Sequence, residues 1–151
     1  MNQYLLMGRT DSQGLAVILS GGLVGMETAD FLMSRGIEVT VLELLDQSPV
    51  GRKDAHGWWL HRCLRKSGGR LILGARVTRV ELEAVVIEHE GQEQRVEPAS
   101  MVVVALGSAP VTSLTEILKE LGVEYYVVGD AKKPRNMLEA VHEGHKVRLS
   151  I

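Results

Sequence analysis

Three glycines and one acid carry the chemistry most readily read from this chain. Ser20-Gly21-Gly22-Leu23-Val24-Gly25 follows directly on the apolar run Leu15-Ala16-Val17-Ile18-Leu19 and opens a helical stretch at Met26 that Gly36 is placed to stop. A tight turn between a buried strand and a helix leaves backbone N–H groups unpaired at the helix N-terminus, where the helix dipole also favours negative charge. Such a turn suits a phosphate or pyrophosphate. Gly22 would let the phosphate approach bare backbone, Gly25 would let the helix lie close to the strand, and Gly21, Leu23 and Val24 complete the cradle. Ser20 occupies the first glycine position of this fingerprint, and if that position needs a positive φ the serine costs roughly 1 kcal/mol or more. Glu43 ends a second apolar run, Glu38 to Leu42, at a spacing from Gly25 that would let its carboxylate accept hydrogen bonds from an adenosine ribose. Together these residues point to an adenine dinucleotide, with an ordinary strand-to-helix turn as the plainer alternative.

Composition bounds what else the chain can be. Its 151 residues are enough for one domain with a real core, and 45% hydrophobic against 24% charged residues is the make-up of a globular protein. Seventeen basic and nineteen acidic residues leave a net charge of −2, which gives no electrostatic case for nucleic acid or an anionic membrane. The longest apolar runs fall far short of a bilayer span and no signal-like segment opens the chain, so a cytoplasmic protein is expected. One cysteine, Cys63, can form no internal disulfide and cannot alone hold a metal; it reads as a core thiol on a helix. His56 and His61 share a predicted helix but lack the spacing of a zinc-binding pair, so no metal site is expected. No residue reads as a catalytic acid, base or nucleophile.

The elements that must position the glycine turn alternate strand and helix. Residues 1–13 read as a connector with a short apolar patch, Tyr4-Leu5-Leu6-Met7. After the second strand comes a loop, 44–54, whose Arg52 and Lys53 either reach a 2′-phosphate or are solvated, the commoner fate. A helix over 55–66 has Trp58, Trp59, Leu60, Cys63 and Leu64 on its apolar face, Ser67-Gly68-Gly69 stops it, and Leu71 to Leu73 form a third strand. From Arg76 to Val96 the apolar period drops to two around a Glu90-Gly91-Gln92 turn, the mark of an antiparallel meander with one wet face. Met101 to Leu106 then restores a buried parallel strand that ends at Gly107. Further on, a helix is predicted over 114–121, a strand over 124–128 running into Gly129-Asp130, and a last helix starting near Pro134 or Arg135 with Met137, Leu138, Val141 and His142 on a core-facing stripe. The fold class that follows is α/β: a Rossmann-like parallel sheet with an inserted antiparallel β-meander.

Four blocks carry a resemblance to a known family. They are Gly21 to Ala29; Val39 to Glu43; Ala105-Leu106-Gly107-Ser108-Ala109-Pro110; and Val127-Val128-Gly129-Asp130 with Pro134-Arg135 and Leu138 to Gly144. On these the chain resembles the C-terminal portion of NADH:flavin oxidoreductases of the 2,4-dienoyl-CoA reductase and trimethylamine dehydrogenase type. The resemblance implies an NAD(P)H-binding domain over about 14–108 and the closing strand and helix of an incomplete FAD-binding domain over 109–151. It implies NAD(H) as the cofactor, with NADP(H) as second candidate, and FAD only in a parent enzyme that also carries a flavin-mononucleotide barrel. Asp130 matches an acid that holds the FAD ribitol or a nearby phosphate, Glu27 a glutamate on the nicotinamide side, and Gly107 and Gly129 lie in the matching turns. The first FAD glycine turn, the barrel and the cluster cysteines have no counterpart here, so the chain by itself is expected to be inactive, and its uncovered apolar patches to favour self-association. The competing expectation is a non-catalytic module that binds ADP or serves structure alone, as the trimethylamine dehydrogenase-like members imply.

Overall fold

The structure, a computed structural model, describes residues 14–151; the expected connector and its Tyr4 to Met7 patch lie outside the described residues. The chain divides into a first unit ending at Leu106 and a second over Gly107–Ile151.

In the first unit the order is β1 (Leu15–Leu19), α1 (Leu23–Met33), β2 (Glu38–Leu42), α2 (Ala55–Lys66), β3 (Arg70–Ile72), β4 (Arg76–Val80), β5 (Val85–His89), β6 (Gln92–Val96) and β7 (Ala99–Val104). Four strands form a parallel sheet in the order β3-β2-β1-β7, and β4-β5-β6 form a separate antiparallel sheet. The α/β class and the inserted meander read from the sequence are thus observed.

Why β1 has no alternation is visible in its two faces. Ala16 and Ile18 enter a core with Met26, Ala29 and Leu32 of α1, Val39 and Val41 of β2, and Leu60 and Leu64 of α2. Leu15, Val17 and Leu19 enter a second core with Val85, Ile87 and Val96 of the meander. Helices cover one side and the meander the other, so every β1 side chain is buried.

Turn chemistry sets the boundaries. Gly36, at φ +78°, closes α1, and the Ile37 N–H donates to the Leu32 carbonyl. Asp54 caps α2 by accepting from the Gly57 N–H at 2.7 Å, a bond that also holds its carboxyl below the usual range. Gly68 at φ +77° ends that helix, and the Gly69 N–H reaches the Leu64 carbonyl. Glu90 and Gly91 both have positive φ and join β5 to β6.

Three expectations are corrected. Trp58 and Trp59 are about half exposed, because Leu60 and Leu64 alone fill the space that α2 faces. Residues 124–128 form no strand: the second unit holds only α3 (Ser113–Glu120), a 3₁₀ turn at Gly129–Ala131 and α4 (Met137–Ser150), and an extended segment without a neighbouring strand has nothing with which to form a ladder. The stripe on α4 is not a core face, since Met137, Leu138 and Val141 are all exposed and no α4 residue is buried. That helix also starts later than expected, where Asn136 accepts from the Glu139 N–H at 3.0 Å.

Cys63 is half-buried. Burial, then the Asp30 carboxylate, pushes its thiol pKa up, which disfavours the thiolate.

Among the described glycines, Gly57 has the least room for a side chain. A Cβ there would lie 1.8 Å from the Gly51 carbonyl oxygen, so backbone must move to admit one. Gly57→Ala is expected to lower stability by about 1–3 kcal/mol in urea unfolding, whereas Gly144→Ala, with nothing near its Cβ position, should not. Equal midpoints for the two variants would refute this account of the 51–57 contact.

Candidate nucleotide-binding site

At the end of β1 the backbone turns sharply. Ser20 has φ +89°, a left-handed conformation that costs a non-glycine residue about 1–2 kcal/mol. The strain foreseen for a serine at this place is therefore present. Its N–H donates to the Leu42 carbonyl at 2.8 Å, and its hydroxyl accepts from the Gly22 N–H at 3.3 Å and lies 3.5 Å from a Glu43 carboxylate oxygen.

The glycines differ in what requires them. A Cβ at Gly25 would sit 2.0 Å from the Ser20 carbonyl oxygen, so helix and strand can approach this closely only with glycine there. At Gly21 a Cβ would press on Glu43 and Leu71, each at 3.3 Å. At Gly22 it would meet only the Ser20 hydroxyl, at 3.5 Å. The chain fills the space beside Gly21 and Gly25 and leaves that beside Gly22 open.

Gly22 is also the N-cap of α1, with no side chain capping the helix. The first intrahelical bond runs from the Met26 N–H to the Gly22 carbonyl, so the first-turn amides of Leu23, Val24 and Gly25 find no helical acceptor. Leu23 and Val24 are half exposed. Open donors at a helix start beside an unfilled glycine fit an anionic group of a nucleotide.

Glu43, only 5% exposed, is the buried carboxylate among the described residues of the unit. One oxygen accepts from the Gly21 N–H at 2.7 Å and the other from the Leu45 N–H at 3.0 Å. Each carboxylate oxygen can accept more than one bond, so this anchoring leaves lone-pair capacity for a ribose hydroxyl. Beside it lies a crevice of about 540 Å³ at the carboxyl ends of β1 and β2, bordered by Ser20, Glu43, Leu44, Arg76, Val77 and Leu106. Ligands of open α/β sheets bind at such strand ends. Arg76 was not singled out by sequence reasoning, because only the chain reversal at Gly74, where the Ala75 N–H donates to the Glu43 carbonyl, brings it here.

Glu27 is exposed on α1 and its carboxylate lies 2.9 Å from His56 Nε2 in the first turn of α2. Neither residue's sequence neighbours announce this pair. In the second unit Gly107 has φ +95° and Gly129 φ +61°. The Gly129 N–H donates to Glu143 at 2.8 Å, and Glu143 also pairs with Arg135 and, at 3.6 Å, with Lys132. Asp130 is exposed and accepts at 3.4 Å from the Arg135 N–H. The Gly129 amide is thus taken by a carboxylate, and α4 starts at Met137 instead of near Arg135.

The chain matches the family model of the pyridine nucleotide-disulphide oxidoreductases over residues 7–144. It belongs to that family. Among its relatives are the NADH oxidase of Thermoanaerobacter brockii, 32% identical over 93% of this chain and 22% of the relative, and the bilirubin reductase of Mediterraneibacter gnavus (strain CC55_001C), 31% identical over 87% and 21%. The chain thus spans about a fifth of the length of these family members. In fold it is similar to a 2-naphthoyl-CoA reductase in complex with 2-naphthoyl-CoA, with a TM-score of 0.85 and 24% identity over 99% of this chain and 23% of that one. The histamine dehydrogenase of Rhizobium sp. 4-9 gives 0.78 and 14% over 96% and 23%. Family membership supports NAD(P)H and FAD use in general and an oxidoreductase domain of Rossmann type. Among the described residues no helix is long and apolar enough to cross a membrane.

Two outcomes test this geometry. Glu43→Ala would strand the Gly21 and Leu45 amides and should lower stability by about 2 kcal/mol or more, with Glu43→Gln, which keeps one acceptor, losing less. In the second unit the Arg135 guanidinium, then the Gly129 N–H, hold the Glu143 carboxyl below its ordinary value of 4.5. A depressed carboxyl stabilises the fold above its ordinary pKa and stops doing so as pH falls through the folded value. Hydrogen exchange at the Gly129 amide should therefore gain protection loss on acidification below 4.5, and Glu143→Gln should abolish that pH dependence.

Proposed function

We propose that the first unit is the NAD(H)-binding part of an NADH:flavin oxidoreductase of the 2,4-dienoyl-CoA reductase and trimethylamine dehydrogenase type. The observation that carries this reading is the turn itself: open first-turn amides of α1 beside Gly22, with the Glu43 carboxylate at the neighbouring strand end. The pyrophosphate would meet the Leu23 and Val24 amides, and the ribose hydroxyls the spare lone pairs of Glu43. Arg76 would add positive charge at the crevice wall. A bound nicotinamide supplies the hydride; this chain's residues bind and orient. Glu27, hydrogen-bonded to His56, would lie on the nicotinamide side.

FAD belongs, in this reading, to the parent enzyme. Gly129 and Asp130 would close its pocket from one side, and the phosphate cradle would come from sequence outside this chain. The relatives' greater length and the exposed apolar residues of α3 and α4 support that view. The chain would act in the cytoplasm, and its uncovered faces would promote self-association.

A second reading, an ADP-holding or structural module without hydride transfer, draws support from the Ser20 hydroxyl, which already satisfies the Gly22 amide. Calorimetric titration with NADH, NADPH and ADP, with and without FAD, separates the two. NADH should bind more tightly than NADPH, because Glu43 repels a 2′-phosphate at short range. Ser20→Gly should tighten NADH by about tenfold or less by removing a backbone cost of order 1–2 kcal/mol. The isolated chain should be colourless and without NADH oxidase activity. Equal affinity for ADP and NADH would favour the second reading, and flavin held at one per chain would overturn the incomplete FAD domain.

A further inference from the structure

A second cavity, of about 310 Å³, lies along the outer side of α2 where the chain enters β3. It shares no lining residue with the crevice at Ser20 and Glu43. Arg52, Arg62 and Arg65 line it together with Trp58 and His61, and no carboxylate does. Three guanidinium groups around one hollow would ordinarily recruit acids from the surrounding surface, as Arg79, Arg95 and Arg135 do elsewhere in this chain. Arg52, Arg62 and Arg65 form no ion pair with any described residue.

The cavity is also partly preorganised. The Arg62 guanidinium lies 5.3 Å from the centre of the Trp58 ring, a cation–π contact that limits its freedom. His61 Nε2 is held 3.0 Å from the Val50 carbonyl oxygen and 3.2 Å from the Ser48 hydroxyl, which fixes the ring at the wall. Gly68 and Gly69 also line it and present backbone without side chains. Arginines that line one hollow with no carboxylate partner among the described residues suit a doubly charged tetrahedral oxyanion, which takes several charge-assisted hydrogen bonds at once.

We propose that this cavity binds the phosphate group of a phosphorylated small molecule, through Arg52, Arg62 and Arg65. The proposal goes beyond the nucleotide reading and does not depend on it. Because the cavity shares no lining residue with the nucleotide crevice, the group belongs to a separate phosphomonoester and not to the 2′-phosphate of NADP(H).

The test uses the full chain and inorganic phosphate as probe, followed by amide NMR at ionic strength matched with sodium chloride. Saturable shifts are expected at residues 52, 58–65 and 68–69, and Arg62→Gln with Arg65→Gln should weaken binding at least tenfold. Both positions are exposed, so the melting temperature should hold, and Arg79→Gln with Arg95→Gln serves as a charge-matched control outside the cavity. Titration with NADH and NADPH then distinguishes the sources. If phosphate binds and the double variant alters neither dinucleotide, the separate phosphomonoester is supported; if the double variant weakens NADPH and leaves NADH unchanged, the ligand group is the 2′-phosphate and the proposal is overturned. Absence of saturable phosphate binding, or binding that the double variant leaves intact, overturns the proposal. Loss of NADH binding in Ser20 or Glu43 variants with phosphate binding retained would show the nucleotide reading and this one to be separable.

Discussion

A single buried carboxylate ties the first unit together. Glu43 stands at the end of β2, and its side chain accepts from Gly21 in the turn after β1 and from Leu45 in the loop that leads toward α2. Its own N–H donates to Ile72 at the end of β3, and its carbonyl accepts from Ala75 where the meander begins. Four segments thus converge on one residue at the carboxyl edge of the sheet. A charge buried to this degree is tolerable only when its oxygens are met by donors, and the two amides that meet them are the means by which the turn is held in place.

That arrangement explains how Ser20 survives where glycine is the natural choice. Its left-handed backbone costs about 1–2 kcal/mol, an amount that two or three modest hydrogen bonds can offset. The Ser20 N–H to Leu42, the Gly22 N–H to the Ser20 hydroxyl and the Gly21 N–H to Glu43 are bonds of that kind. The same hydroxyl occupies an amide that a glycine would have left bare. Strain and self-satisfaction therefore act on the same few atoms, and the anion-facing character of the turn rests mainly on the helical amides beyond them.

What the sequence could disclose follows from the range of the forces involved. The limits of α2 were legible because the acid before it and Ser67-Gly68-Gly69 after it act on their immediate neighbours. β1 and the meander were legible because the periodicity of burial is written into consecutive residues. The expected strand over 124–128 failed because apolar β-formers make a strand only beside another strand, and the second unit has none. The stripe on α4 failed because a short run of apolar residues makes a core face only where another element packs on it, and Met137, Leu138 and Val141 are all exposed. At the site, Gly22, Gly25 and Glu43 could be named from spacing, whereas the pairing of Glu27 with His56 and the arrival of Arg76 at the crevice depend on how distant segments cross.

The unequal needs of the two glycines around α1 leave a trace on how this sequence can change over time. Gly25 is enforced by the Ser20 carbonyl alone, whatever the site holds, so any descendant that still folds must keep it. Gly22 faces no such demand from the chain, and a methyl group there would displace nothing. In a lineage released from ligand binding, position 22 would be the first of the two to drift.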